Sequence, residues 1–286
     1  MEKQFYIHPN FEDAMHRLRD EGQTNLYLYY YTNPNTFFKI LDNRCIKSSK
    51  YDNVNDLDEA NLDCLNGIFR RFEIEKYIKD NCHFISFVRD YKKHNVTIEG
   101  TQHPRMWAQY AQNSEGVCLI LNKRELLKKC RIARGRKSIM MGNVYYRWAK
   151  CSYEKPEEIN AFCTNSPIEV ILRKYSKQIF LTKHVDWEQE HETRLCIFDN
   201  QEDDMICIDG CIEGICLGKK FMDNSECMVK LAEHLASSNK KFYNHINTDA
   251  FGVIASTDGG YDAWAIHPNI DVRIDEIIKS LNSLLM

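Results

Sequence analysis

The residues best suited to chemistry fall in one run, Trp187-Glu188-Gln189-Glu190-His191-Glu192-Thr193-Arg194, with Lys183 shortly before it. The run leads into the apolar Leu195-Cys196-Ile197-Phe198, which reads as a strand. If the chain is extended from Glu188 onward, Glu188, Glu190, Glu192 and Arg194 project to one side, because strand side chains alternate. Carboxylates aligned in this way repel one another. In a cleft, that repulsion raises the proton affinity of one member and prepares an acid–base pair. The alternative is a charged edge strand that resists aggregation.

Positioning such a run needs a sizeable scaffold, and 286 residues can bury a large core as one domain. The hydrophobic fraction of 43% and charged fraction of 28% are those of a soluble globular protein. A net charge of −3 argues against a broadly basic, nucleic-acid-coating surface while leaving room for a local basic groove. The 12 cysteines form no paired C-x-x-C knuckles, so no structural zinc is expected. Cys207, Cys211 and Cys216, flanked by isoleucines, read as small buried strand residues. The first residues lack the apolar run of a signal peptide, and no window is long enough to span a membrane. The expectation is a cytoplasmic protein with reduced thiols.

The periodicities predict helices at 10–21, from Pro34 to about 43, from Asn55 or Asp56 to about 79, from Pro104, over 168–179, around Met228 to Leu235, and near 274–285. Strands are expected at 26–32, 45–48, 83–88, 117–121, 144–148, 151–153, 205–208, 212–217 and 251–255. Residues 91–103 read as a loop, and the basic segment 131–137 as a solvated loop. Helices and strands are interspersed without strict alternation. That favours an α+β single domain with a mixed, mostly antiparallel central sheet flanked by helices.

No P-loop, G-x-G-x-x-G, H-E-x-x-H or G-x-S-x-G is present, which removes P-loop NTPases, ordinary Rossmann dehydrogenases and α/β-hydrolases. Four stretches carry more polarity or aromaticity than packing requires: Tyr29-Tyr30-Tyr31-Thr32; Asn55, Asp56 and Glu59; Met106-Trp107-Ala108-Gln109-Tyr110 with Gly116-Val117-Cys118; and Lys183, Trp187, Glu190, Glu192 and Arg194. Each has a plainer explanation. The tyrosines pack a core, the acids cap and open a helix, and Trp107 and Tyr110 share a helix face.

In this order the four stretches resemble a bacterial family known as domain of unknown function 2971, over roughly residues 26–218, with 219–286 as a C-terminal extension. Leu57 stands where the family pattern has proline, and Ser114 lies near the place of its histidine. More distantly, the layout resembles ADP-ribosyltransferases, which place an E-x-E pair late in the chain, as in Glu190-His191-Glu192. That likeness implies an ADP-ribosyltransferase-like fold and an NAD-dependent transfer to a nucleic-acid or protein acceptor, in a bacterial toxin or phage-defence effector. It makes Glu192 the carboxylate facing the reacting ribose, and Glu190 the group that activates or positions the acceptor. Tyr29 or Tyr31 would stack on nicotinamide, and Thr32 or Asn55 would hold ribose hydroxyls. Arg194 or Lys183 would meet the pyrophosphate, with Trp187 in the same pocket. The alternatives are a metal-dependent, nuclease-like site built from Asp56, Glu59, Glu190 and Glu192, and a non-catalytic ligand- or partner-binding module in which Glu190 and Arg194, four apart, form a structural ion pair and the aromatics bind the partner.

Overall fold

A computed structural model describes residues 26–51, 69–93, 96–136, 138–148, 155–199, 204–237, 251–257 and 260–266. The chain opens with strand β1 (Tyr27–Thr32), helix α1 (Pro34–Asn43), β2 (Cys45–Lys47), β3 (Ser49–Lys50), α2 (Arg71–Asn81) and β4 (Cys82–Val88). Next come β5 (Tyr91–Lys93), β6 (Val96–Ile98), α3 (Pro104–Gln109), β7 (Val117–Asn122), α4 (Lys123–Arg134), β8 (Ile139–Asn143) and β9 (Tyr145–Arg147). After these lie α5 (Pro156–Asn165), α6 (Ile168–Lys174), α7 (Ser176–Phe180), β10 (Thr182–His184), a 3-10 turn (Val185–Glu190) and β11 (Glu192–Phe198). Last are β12 (Met205–Cys207), β13 (Ile212–Leu217), α8 (Lys219–Asp223), α9 (Ser225–Ser237), β14 (Phe251–Thr257) and β15 (Gly260–Ile266). The sheets are mostly antiparallel and the class is α+β. Among the described residues, no helix is long and apolar enough to cross a membrane.

The chain divides into two compact units: Met1–Ile46, Arg89–Leu126 and Cys207–Met286 form the first, and Lys47–Val88 and Leu127–Ile206 the second. In the first unit, β1 pairs antiparallel with β7, Tyr31 facing Cys118 and Thr32 facing Val117. Strand β13 lies antiparallel to β7 and parallel to β14, and β14 pairs antiparallel with β15. Val117 to Leu121 are buried, as a strand covered on both faces requires. Helix α1 starts as its sequence predicts. Asn33 accepts the Thr36 N–H at 2.9 Å, and Pro34 takes the first helical turn. It stops where Arg44 turns left-handed at φ 54° and donates its N–H to Ile40 O. Phe37 and Phe38 pack on Phe221 of α8.

Gly116, first residue of the Gly-Val-Cys motif, lies against the Thr32 carbonyl, where a Cβ would collide with backbone. Backbone on both sides cannot yield as a flexible side chain can. Gly116→Ala is therefore expected to destabilise by about 1–3 kcal/mol, the usual range for overpacking, read from the urea midpoint.

In the second unit, β11 is flanked antiparallel by β4 and β8, and β3 pairs with β4. Its core gathers Ile74 and Ile78 of α2, Ile159 and Cys163 of α5, Ile171 and Leu172 of α6, and Ile179 and Phe180 of α7. The Tyr51 hydroxyl donates to Ile179 O at 2.6 Å, so a phenol enters the core with its polar end satisfied.

Several expectations need correction. Residues 91–93 and 96–98 form the antiparallel pair β5–β6, where a loop was expected. Within the basic segment, Arg131 and Arg134 lie in the last turn of helix α4, where the Arg134 side chain is nearly buried in an ion pair with Asp199 at 3.0 Å, and Arg136 is exposed beyond the helix. Helix α5 had no sequence signal strong enough to name it. The apolar stripe at 168–179 is divided at Tyr175 into α6 and α7. Cys207 is exposed, whereas Cys211 and Cys216 are buried. The expected helices at 10–21 and 274–285, the start of the helix at Asn55 or Asp56, and the strand at 151–153 lie outside the described residues.

Candidate functional site

Strands β10 and β11 and the 3-10 turn between them bring Lys183, Glu190, Glu192 and Arg194 into one cluster of the second unit. The run is not extended from Glu188. Residues Val185–Glu190 form the 3-10 turn, His191 is left-handed at φ 45°, and the strand starts at Glu192. His191 donates its N–H to Glu188 O, closing the turn. Glu188 therefore stays exposed while Glu190 swings inward and is 2% exposed. Within β11 the alternation holds, and Glu192 and Arg194 share a face.

Their geometry is that of paired ions. Arg194 Nε donates to Glu192 Oε1 at 2.6 Å and Nη2 to Oε2 at 3.1 Å, a bidentate grip. Its Nη1 donates to Phe180 O at 2.9 Å. The Phe84 ring lies 4.9 Å from the guanidinium carbon. Lys183 Nζ donates to Glu190 Oε2 at 2.7 Å and to Glu192 Oε2 at 3.4 Å, and sits 4.6 Å from the Trp187 ring centre. No member of the quartet is more than 5% exposed. Two cations and two carboxylates balance, which is the condition under which buried charge is tolerable.

The backbone around the quartet is fixed as firmly. The Glu192 N–H donates to the Tyr146 hydroxyl at 2.8 Å, and the Val144 N–H to Glu192 O at 2.9 Å. Thr193 Oγ1 donates to Asn143 Oδ1 at 2.8 Å. Burial, and then the neighbouring Glu192 charge, push the Tyr146 hydroxyl far above the usual tyrosine range. Burial alone would also raise the Glu192 carboxyl. The charges of Arg194 and Lys183, with hydrogen bonds from Arg194 and Ser86, overcome it and bring the carboxyl down to about 2. The sequence expectation that crowding would raise a carboxylate's proton affinity is reversed for Glu192, because cations stand between the acids.

Tyr29, Tyr31 and Thr32 belong to β1 of the first unit and are buried. The Tyr29 ring packs on Gly100. Its hydroxyl is buried, and burial, then the charge of Asp90 and a hydrogen bond with it, raise the hydroxyl well above its ordinary value. Tyr31 donates its hydroxyl to Gly100 O at 2.7 Å and meets Trp107 edge-on at 5.0 Å. Asn55, Asp56 and Glu59 lie outside the described residues.

Sequence reasoning missed Tyr146, Ser86 and the Phe180 carbonyl as partners of the quartet. Ser86 lies opposite Arg194 only through the β4–β11 register, and Tyr146 opposite Lys183 only through the β9–β10 register. No local pattern encodes either pairing.

No curated protein and no solved structure matches the chain. Residues 106–195 match the model of the family described as Protein of unknown function (DUF2971), and that span reaches from the Met106-Trp107 helix through the whole of the quartet.

Proposed function

We propose that the 183–194 cluster performs electrostatic rather than proton-transferring chemistry, and that the chain is an ADP-ribosyl-transferring enzyme using NAD. One observation carries the reading: Glu192 is a buried, fixed carboxylate gripped by Arg194 at 2.6 and 3.1 Å and met by Lys183 at 3.4 Å, which holds its carboxyl ionised. A general acid or base needs a proton affinity near the working pH. A carboxylate that stabilises a ribosyl cation must be charged at every working pH, and must not reorganise as that charge develops. In this reading Glu192 holds the negative charge, Arg194 fixes its plane, and Lys183 orients Glu190 toward the acceptor. Bound NAD would supply the ribosyl carbon and nicotinamide as leaving group.

The fit to NAD is uneven among the residues named for it. Lys183 and Arg194 direct their donors at carboxylates, so the pyrophosphate calls for other cations. Tyr29 and Tyr31 have their rings packed in the first unit, which does not suit them to stack on nicotinamide. The Lys183 ammonium lies between Glu190 and Glu192, where a bridging divalent ion would sit, so the nuclease-like alternative has less support.

A second reading has its own observation. The quartet is buried and charge-balanced, as a lock that fixes β11 in a non-catalytic, ligand- or partner-binding module would be. Incubation of the full chain with NAD and a panel of protein and nucleic-acid acceptors separates the two. Nicotinamide release and a rise in Tm with NAD are expected for the enzyme. Intact NAD with no change in Tm leaves the lock.

A further inference from the structure

The two short strands that support the quartet carry a second, outward surface. Strands β9 and β10 are parallel, with Tyr145 opposite Thr182, Tyr146 opposite Lys183 and Arg147 opposite His184. Tyr146 turns inward to receive the Glu192 N–H. Alternation therefore sends Tyr145 and Arg147 to the other side. Trp148 lies past the end of β9, where alternation no longer applies, and is 79% exposed, while Tyr145 is 44% exposed. The indole meets the His184 ring edge-on at 5.6 Å, and Lys177 Nζ lies 5.4 Å from the Tyr145 ring centre. The adjoining 3-10 turn carries exposed acids among the described residues: Asp186, which faces His184 Nδ1 at 3.3 Å, and Glu188. Each exposed ring thus stands beside a nitrogen-bearing side chain, Tyr145 by Lys177 and Trp148 by His184, with Arg147 opposite His184 in the strand pair.

We propose that Tyr145 and Trp148, with Lys177, Arg147 and His184, form a stacking surface for single-stranded nucleic acid. Every base offers a π-face to an exposed ring, and cations beside the rings meet the phosphates between stacked bases. An apolar peptide would prefer a groove lined by aliphatic groups. A duplex keeps its bases stacked on one another and offers the indole nothing. The net charge of −3 confines the attraction to this patch. The surface is separate from the chemistry proposed for Glu192 and stands if NAD proves not to be a substrate.

Binding of a fluorescein-labelled twelve-nucleotide oligo(dT) to the full chain at 50 mM salt, followed by anisotropy, tests the proposal. Trp148→Ala is expected to weaken binding by about tenfold, the order of one lost base stack. Lys177→Gln is expected to weaken it severalfold and to reduce the salt slope by about one. Circular dichroism should be unchanged for both variants, since neither side chain is core. Failure of the wild-type chain to bind the strand, equal binding of a duplex, or unchanged binding by Trp148→Ala would each overturn it. So would a dimer that Trp148→Ala dissociates, which would assign the surface to a second copy of the chain.

Discussion

Replacing Arg194 with methionine is expected to cost about 3–5 kcal/mol of stability, the usual penalty for leaving a buried charge uncompensated. The cost comes from Glu192 more than from the lost arginine. Its carboxylate would keep Lys183 Nζ at 3.4 Å, but lose the bidentate grip that Arg194 supplies at 2.6 and 3.1 Å. The Phe180 carbonyl would also lose its donor. Replacing Glu192 and Arg194 together by methionine should recover much of the loss, because the stranded charge goes with its partner. Urea unfolding of the two single variants and the double variant measures this directly. A single-variant loss below about 1 kcal/mol would mean that the pair is solvated, as surface pairs are.

Glu192→Gln is expected to reduce nicotinamide release from NAD by roughly 100- to 1,000-fold, the scale of losing one pre-organised electrostatic group. Glutamine keeps the shape and one acceptor and removes the charge. Glu188→Gln is the matched control: Glu188 is exposed on the 3-10 turn and should stay within about twofold of the parent chain, as a surface change away from the site would. If both variants retain full turnover, the charge at Glu192 does no chemistry. If both lose it equally, the effect belongs to the turn rather than to the carboxylate.

Local signals made the class and many elements legible. Asn33-Pro34 announces a helix start, and the apolar run 117–121 announces a strand. Both describe backbone within one turn or one strand. The shared face of Glu192 and Arg194 was also legible, since alternate strand residues point the same way; that Arg194 pairs with Glu192, and Glu190 with Lys183, was not. What the sequence hid lies in register and in turn conformation. Glu188 and Glu190 belong to a 3-10 turn, and the left-handed His191 resets the phase before Glu192. Alternation read across that residue puts Glu188 on the wrong side. The aromatic Tyr29-Tyr30-Tyr31 run was ambiguous for a different reason: a tyrosine filling a core and one lining a cleft have the same composition. Arg134 looked solvated because its partner Asp199 is 65 residues away in sequence.

Because the Glu192 carboxyl is lowered on folding, the bound charge stabilises the native chain above about pH 4.5, and that stability drains away as pH falls through about 2. The most direct test of the account is therefore a carbon-13 NMR titration of the glutamate carboxyl carbons of the native chain, with Glu192 assigned by its loss in Glu192→Gln. The signal is expected to hold its ionised position from neutral pH until acid unfolding begins. A native Glu192 resonance that titrates at or above about pH 4.5 would contradict the claim that Arg194 and Lys183 keep this carboxylate charged.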